Sequence, residues 1–88
     1  MTREKITKPV MPVMPRTLAQ AHEALARIQP GRQAPLAEWL TYYQRSAALY
    51  AEIAEIDRGH HHESLHWADH ERERAKEIKA QIHASGDQ

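Results

Sequence analysis

The chain has 88 residues, and its 12 Lys and Arg side chains are balanced by 12 Asp and Glu side chains. This length suits one small domain, the balanced charge argues against a general polyanion-binding protein, and the absence of cysteine excludes disulfides and thiol catalysis. The sequence has no apolar run near the roughly 20 residues of a membrane helix, and its polar start does not resemble a secretory signal, so we expect a cytoplasmic protein with no membrane partner.

Residues 1–16 form a proline-rich tail. Within KPVMPVMPR, proline recurs at every third position, which is the period of a polyproline II helix. The intervening residues are apolar: Val10, Met11, Val13 and Met14. Two interpretations remain open, a flexible leader or a segment that docks on the domain or on a partner.

The first helix is predicted over residues 18–28. Thr17 followed by Gln20 has the spacing of a capping box. Apolar residues at helical spacing predict one buried stripe, formed by Leu18, Ala21, Leu25 and Ile28. The helix should end before QPGRQAP, because proline and glycine interrupt helices.

The second helix is predicted over residues 36–58, between Pro35 and the helix-breaking Gly59. One apolar face should belong to the core and comprises Leu36, Trp39, Leu40, Tyr43, Ala47, Tyr50, Ala51 and Ala54. An adjacent second face comprises Tyr42, Leu49, Ile53 and Ile56. Because a helix with one neighbour needs a narrower apolar arc, the second helix is expected to touch two neighbours, or one neighbour and another subunit. In the leading hypothesis this second face carries the contact with a partner.

The third helix is predicted over residues 61–83, followed by a frayed end at 85–88. Its apolar side comprises Leu65, Ala68, Ala75, Ile78 and Ile82. The predicted fold is therefore all-α, a three-helix unit over residues 17–84 in which the two longer helices form an antiparallel hairpin. Because a chain of this size buries a small core, we also expect a homo-oligomer.

Five of the seven histidines lie between residues 57 and 76. His62, His66 and His70 recur every four residues, and Glu73 continues the stripe, a spacing that permits a zinc site. The helical wheel places this stripe opposite the apolar side, which predicts an exposed, protonatable surface; metal binding or pH sensing is the alternative hypothesis. His60 and His61 are expected to form hydrogen bonds within the turn before the helix.

The sequence H-E-S-L-H at 62–66 matches the H-E-x-x-H motif of zinc hydrolases. In those enzymes the motif lies in the middle of a helix and faces a cleft, whereas here it falls in a first turn. We interpret the match as coincidental and expect no enzymatic activity and no cofactor.

Basic and acidic residues alternate in the third helix. Such mixing is typical of a solvated face with ion pairs one turn apart. A nucleic-acid-associated regulator is a further alternative, and the basic residues that would serve it are Arg72, Arg74, Lys76 and Lys79.

Residues 46–76 resemble a single tetratricopeptide-type helical hairpin. Small residues on the first helix, Gly59 at the turn, and Glu63, Leu65 and Ala68 on the second helix carry the resemblance. The stretch departs from the repeat at Ser64 and in lacking the terminal proline. This resemblance implies protein binding; a second one, of residues 17–76 to small helical proteins of actinomycetes, implies the architecture alone.

The leading hypothesis is a small protein-interaction or assembly module that associates with itself. Its contact would be the second face of the second helix, with the proline-rich tail as an additional arm.

Overall fold

The computed structural model describes residues 14–86, and within that range it contains three α-helices and no strand. Helix α1 spans Leu18–Ile28, α2 spans Leu36–Ile56 and α3 spans His61–Gly86, with a short 3-10 turn at Arg58–His60 between the last two. The all-α class and the antiparallel hairpin of α2 and α3 are confirmed. No helix of this part of the chain is both long enough and apolar enough to cross a membrane.

Helix α1 begins at two polar contacts. The Thr17 hydroxyl accepts a hydrogen bond from the Gln20 backbone N–H at 3.1 Å, and the Gln20 side chain accepts one from the Arg16 N–H at 2.9 Å. The predicted capping interaction is thus present, although its second bond reaches one residue further back than in a capping box. The helix occupies the predicted range, but Ile28 is 52 % exposed and does not continue the buried stripe.

Helix α1 packs on the hairpin near the corner where α2 turns into α3. The core cluster comprises Leu18, Ala21, Leu25, Tyr50, Ile53 and Ala68, so all three helices contribute to it. His22 of α1 lies against two aromatic rings, with its ring centroid 5.3 Å from that of Tyr50 and 5.1 Å from that of Trp67. Both contacts fix α1 across the hairpin.

The corner between α2 and α3 differs from the prediction. Helix α2 ends at Ile56 rather than at residue 58, because Asp57 leaves the helical conformation with φ −95° and ψ 74°. Its side chain accepts hydrogen bonds from the Leu18 N–H at 2.9 Å and from His60 at 3.0 Å. Helix α3 continues to Gly86, beyond the predicted end at residue 83 and into the segment expected to fray. Residues 1–13 of the predicted tail lie outside the described residues.

Candidate protein-binding surface

An apolar groove lies between α1 and α2, with a volume of about 680 Å³. It is lined by Met14, Pro15, Ala24, Leu25, Arg27, Ile28, Arg45 and Leu49, and we call it the α1/α2 groove. Two of its apolar side chains are widely accessible, Met14 at 64 % and Ile28 at 52 % exposure. Exposed apolar side chains that adjoin one another in a concave surface are typical of a binding site for another apolar group.

A second hollow of about 390 Å³ adjoins the α1/α2 groove. Ile28 and Arg45 line both spaces, so the two lie side by side. The second hollow lies beside the connection from α1 to α2, and its other lining residues are Pro30, Ala37, Glu38, Thr41 and Tyr42. The concave surface therefore extends past the end of α1.

The charges beside the groove belong to exposed side chains of α1 and α2. Arg27 lies 3.6 Å from the Glu23 carboxylate, and both side chains are largely exposed. Arg45 and Glu52 form no ion pair with any residue in 14–86. Because Arg45, Leu49, Glu52 and Ile56 follow each other at helical spacing, they form one strip along α2, which we call the α2 edge.

The residues of the predicted partner face are divided between this surface and the core. Ile53 is fully buried and packs with α1, so it belongs to the core instead of a partner contact. Leu49 is half-buried and lines the groove, whereas Ile56 is 40 % exposed. Tyr42 donates a hydrogen bond to the Leu25 carbonyl at 3.3 Å, and burial is the main cause that raises its pKa. Helix α1 thus covers part of the face that the sequence leaves free.

The histidine stripe of α3 is exposed and does not converge. His62, His66, His70 and Glu73 are all exposed, and within residues 14–86 no group of three or more His, Cys, Asp or Glu side chains could hold a metal ion. His70 donates to the Glu71 carboxylate at 2.9 Å, and Glu73 accepts from Lys76 at 3.3 Å. His70 and Glu73 thus pair with neighbouring residues outside the stripe, and the predicted zinc ligands are not brought together.

The two histidines of the corner stabilise the turn. The His61 Nδ1–H donates to the Ala54 carbonyl at 2.8 Å, and His60 donates to the Asp57 carboxylate at 3.0 Å. The Leu18 N–H and His60 hydrogen bonds hold the pKa of Asp57 below its ordinary value of 3.8. The predicted hydrogen bonds within the turn are therefore present, and they also connect it to α1.

The basic residues of α3 have carboxylate partners one turn away. Three of the four residues of the nucleic-acid hypothesis form such pairs: Arg72 with Asp69 at 2.6 Å, Arg74 with Glu77 at 2.7 Å and Lys76 with Glu73 at 3.3 Å. The Arg74 guanidinium also lies over the Tyr43 ring, 5.3 Å from its centroid. These pairs leave little unbalanced positive charge for phosphates. Lys79 forms no ion pair within residues 14–86.

Sequence reasoning did not identify the parts of the surface that depend on tertiary structure. Met14 and Ile28 reach the groove only because α1 packs beside α2, and no local pattern indicates that packing. Arg45 could have been found, because the helical wheel places it next to Leu49. Buried Glu71, which the charge pattern assigned to a solvated face, was also missed.

The groove can bind an apolar segment and can pair with carboxylates through its two arginines. Arg45 is the better placed of the two arginines to bind a carboxylate, because its guanidinium has no ion-pair partner within the described residues and can form a bidentate pair. Comparison of the chain with protein-family models, curated proteins and solved structures gives no match.

Proposed function

We propose that the chain is a non-enzymatic, cytoplasmic protein-interaction module that pairs with a second copy of itself. The observation that carries this proposal is the α1/α2 groove, an apolar concavity whose rim includes the exposed Ile28 and Arg45, which has no ion-pair partner among residues 14–86. Apolar area enclosed by a charged rim is the usual composition of an interface.

The α2 edge gives the reason why the partner is a second copy. Arg45 precedes Leu49 by four residues and Glu52 follows it by three, so Leu49 lies near the midpoint between opposite charges. When two α2 edges pair antiparallel about a two-fold axis near Leu49, Arg45 of each copy faces Glu52 of the other. An interface with two-fold symmetry requires this reciprocity, in which a surface is complementary to itself.

Charge reversal tests the reciprocal pairs. Arg45→Glu and Glu52→Arg each replace two attractive pairs by two repulsive ones, and we expect either to weaken dimerisation by on the order of tenfold or more. The double variant R45E/E52R should restore it. An equimolar mixture of the two single variants should form a heterodimer, because one chain then presents two glutamates and the other two arginines.

Sedimentation velocity over a range of protein concentrations measures these dissociation constants, with circular dichroism to verify folding. Arg32→Glu and Glu63→Arg are matched controls, because both reverse an exposed charge away from the α2 edge. Wild-type protein that stays monomeric at all concentrations would contradict self-association. Single variants that fail to associate when mixed would exclude the antiparallel pairing.

Ile28→Glu tests the apolar part of the same surface. The side chain is 52 % exposed, so the fold should tolerate the change, while a charge in the groove should oppose burial by a partner. Ile56→Glu, at 40 % exposure and at the end of the α2 edge, should weaken dimerisation less than Ile28→Glu. Leu65→Glu, at 38 % exposure on α3, is the control that should leave it unchanged.

A further inference from the structure

The chain enters α1 from alongside that helix. The Arg16 N–H is bonded to the Gln20 side chain, Pro15 lies with Ala24 and Arg27 around a small hollow, and Met14 lines the α1/α2 groove. Going backwards along the sequence from Thr17, the described chain therefore passes from the start of α1 towards its end. Met14, the first residue that the structure describes, forms part of the groove lining.

A second hollow adjoins the groove beyond the end of α1. The second hollow shares Ile28 with the groove and extends to Pro30 and Ala37, beyond the end of α1. Five residues in a polyproline II conformation span about 15 Å, whereas the four steps from Ala24 to Ile28 rise only about 6 Å along the helix. Residues 9–13, which lie outside the described residues, are thus long enough to follow both spaces.

The composition of residues 9–13 suits an apolar groove. The segment reads PVMPV, so every side chain is apolar. Its prolines have no N–H, which reduces the number of backbone donors that would need a partner in an apolar site. Fixed proline φ angles also lower the entropy that the segment loses when it is ordered.

We propose that residues 9–13 of the same chain occupy the α1/α2 groove and compete there with the second copy. The competition rests on the proposed function; the occupancy does not. Both copies must open their groove to pair, so the apparent dimer dissociation constant rises with the inverse square of the open fraction. If the segment covers the groove in about nine of ten molecules, that constant is about a hundredfold weaker than for the open groove.

Cysteine pairs test the occupancy, because the natural chain has no cysteine. Met11→Cys combined with Ala37→Cys places one thiol in the segment and one in the second hollow. Met11→Cys combined with Ala80→Cys is the control, because Ala80 is an exposed alanine in a separate hollow of α3 with Lys76, Lys79 and His83. At dilution, and with intramolecular products identified by intact mass, the first pair should oxidise on the order of tenfold faster in folded protein.

Equal oxidation rates of the two pairs in folded protein would overturn the occupancy. In denaturant the advantage of the first pair should fall to the roughly fourfold that its shorter loop alone supplies. A larger advantage that persists there would also count against the proposal, because it would not depend on the groove.

Substitutions in the full-length chain test the competition. Val10→Ser with Val13→Ser removes apolar contacts of the segment, and we expect dimerisation to become up to about a hundredfold tighter. Thr7→Ser is the control outside the segment. An unchanged dissociation constant in a protein that does dimerise would overturn the competition. Fast oxidation of the first pair with no dimer in any variant would instead refute the proposed function and leave the occupancy intact.

Discussion

Two buried serines in the hairpin have opposite hydrogen-bonding states. Ser46 on α2 donates to the Tyr42 carbonyl at 2.9 Å, whereas the Ser64 hydroxyl on α3 has no hydrogen-bond partner among residues 14–86. Both residues are fully buried. A buried hydroxyl without a partner loses its bonds to water and gains nothing in exchange, so Ser64 should lower the stability of the fold.

Ser64→Ala is expected to raise the free energy of unfolding by about 1 kcal/mol, since it removes the unsatisfied hydroxyl and alanine favours helix. For a domain of this size that corresponds to an increase in Tm of about 4–8 °C. Ser46→Ala is the matched control and should bring no such increase, because its hydroxyl is already bonded. A lower Tm for Ser64→Ala would show that packing of the hydroxyl outweighs its missing hydrogen bond.

Asp57 connects the corner to the start of α1, and its pKa predicts how stability depends on pH. Because the pKa is depressed in the folded chain, the stabilisation is present above the ordinary value of 3.8 and is lost as the pH falls through the lower folded value. Asp57→Asn should lower Tm at pH 7 and flatten the decline of Tm below pH 3.8. Asp69→Asn, which alters an exposed pair with Arg72, should change neither. Equal acid sensitivity of wild type and Asp57→Asn would contradict this role.

Burial also sets the state of Tyr50. Desolvation raises its pKa to about 12, with the charge of Glu71 as a second cause, so the phenol stays protonated over the ordinary pH range. Its oxygen lies 2.7 Å from His22 Nδ1, and this hydrogen bond joins α1 to α2 inside the core.

At the scale of whole elements, local signals predicted most of the helix ends. Pro30, Gly31 and Pro35 mark the loop between α1 and α2. As expected, α1 ends before this loop and α2 begins after it. The end of α2 was misplaced, because Asp57 is held by the Leu18 N–H from 39 positions away in the sequence. A prediction from neighbouring residues alone cannot include a contact between residues so far apart in the sequence.

The difference between local signals and contacts distant in sequence also explains what could be predicted of the candidate site. Periodicity alone placed Leu49 and Ile56 on a face separate from the hairpin contact, and both are accessible in the structure. It could not show that α1 would cover Ile53, since that depends on how two helices pack. The histidine spacing was equally visible, but spacing cannot reveal whether side chains meet around an ion.

Gly59 lies at the corner between α2 and α3, and the sequence predicted that it ends α2. The structure gives that role to Asp57, and Gly59 lies within the 3-10 turn without a positive φ. A Cβ at this position would meet no atom within 4 Å. Gly59→Ala should therefore stabilise the fold by about 0.4–1 kcal/mol, because it restricts the unfolded chain without straining the folded one.

Chemical denaturation measures that effect. Gly31→Ala, also unobstructed and also without a positive φ, should behave alike in the loop before α2. A loss of stability at Gly59 but not at Gly31 would mean that the corner needs glycine for a reason other than space.

At the scale of the molecule, α1 is a short helix packed on the long hairpin of α2 and α3. Its contacts with the core run from Leu18, beside Asp57, to Leu25, beside Tyr42. The part of α2 before Tyr42 is thus left to α3 and to its own aromatic residues, where Trp39 and Tyr43 stack with centroids 5.7 Å apart. A chain with so small a core gains much of its stability from any partner that covers exposed apolar area.

Dimerisation should therefore appear as a concentration-dependent Tm. A partner that binds only the folded chain stabilises it by mass action, by about 2.7 kcal/mol when its concentration is 100 times Kd. We expect the Tm of the wild-type chain to rise by several degrees over a hundredfold increase in concentration, measured by calorimetry. The Tm of Arg45→Glu should rise by less over the same range, and that of R45E/E52R should rise as in the wild type. A constant Tm in all three would mean that the α2 edge remains exposed in solution, and an equal rise in all three would place the interface elsewhere on the molecule.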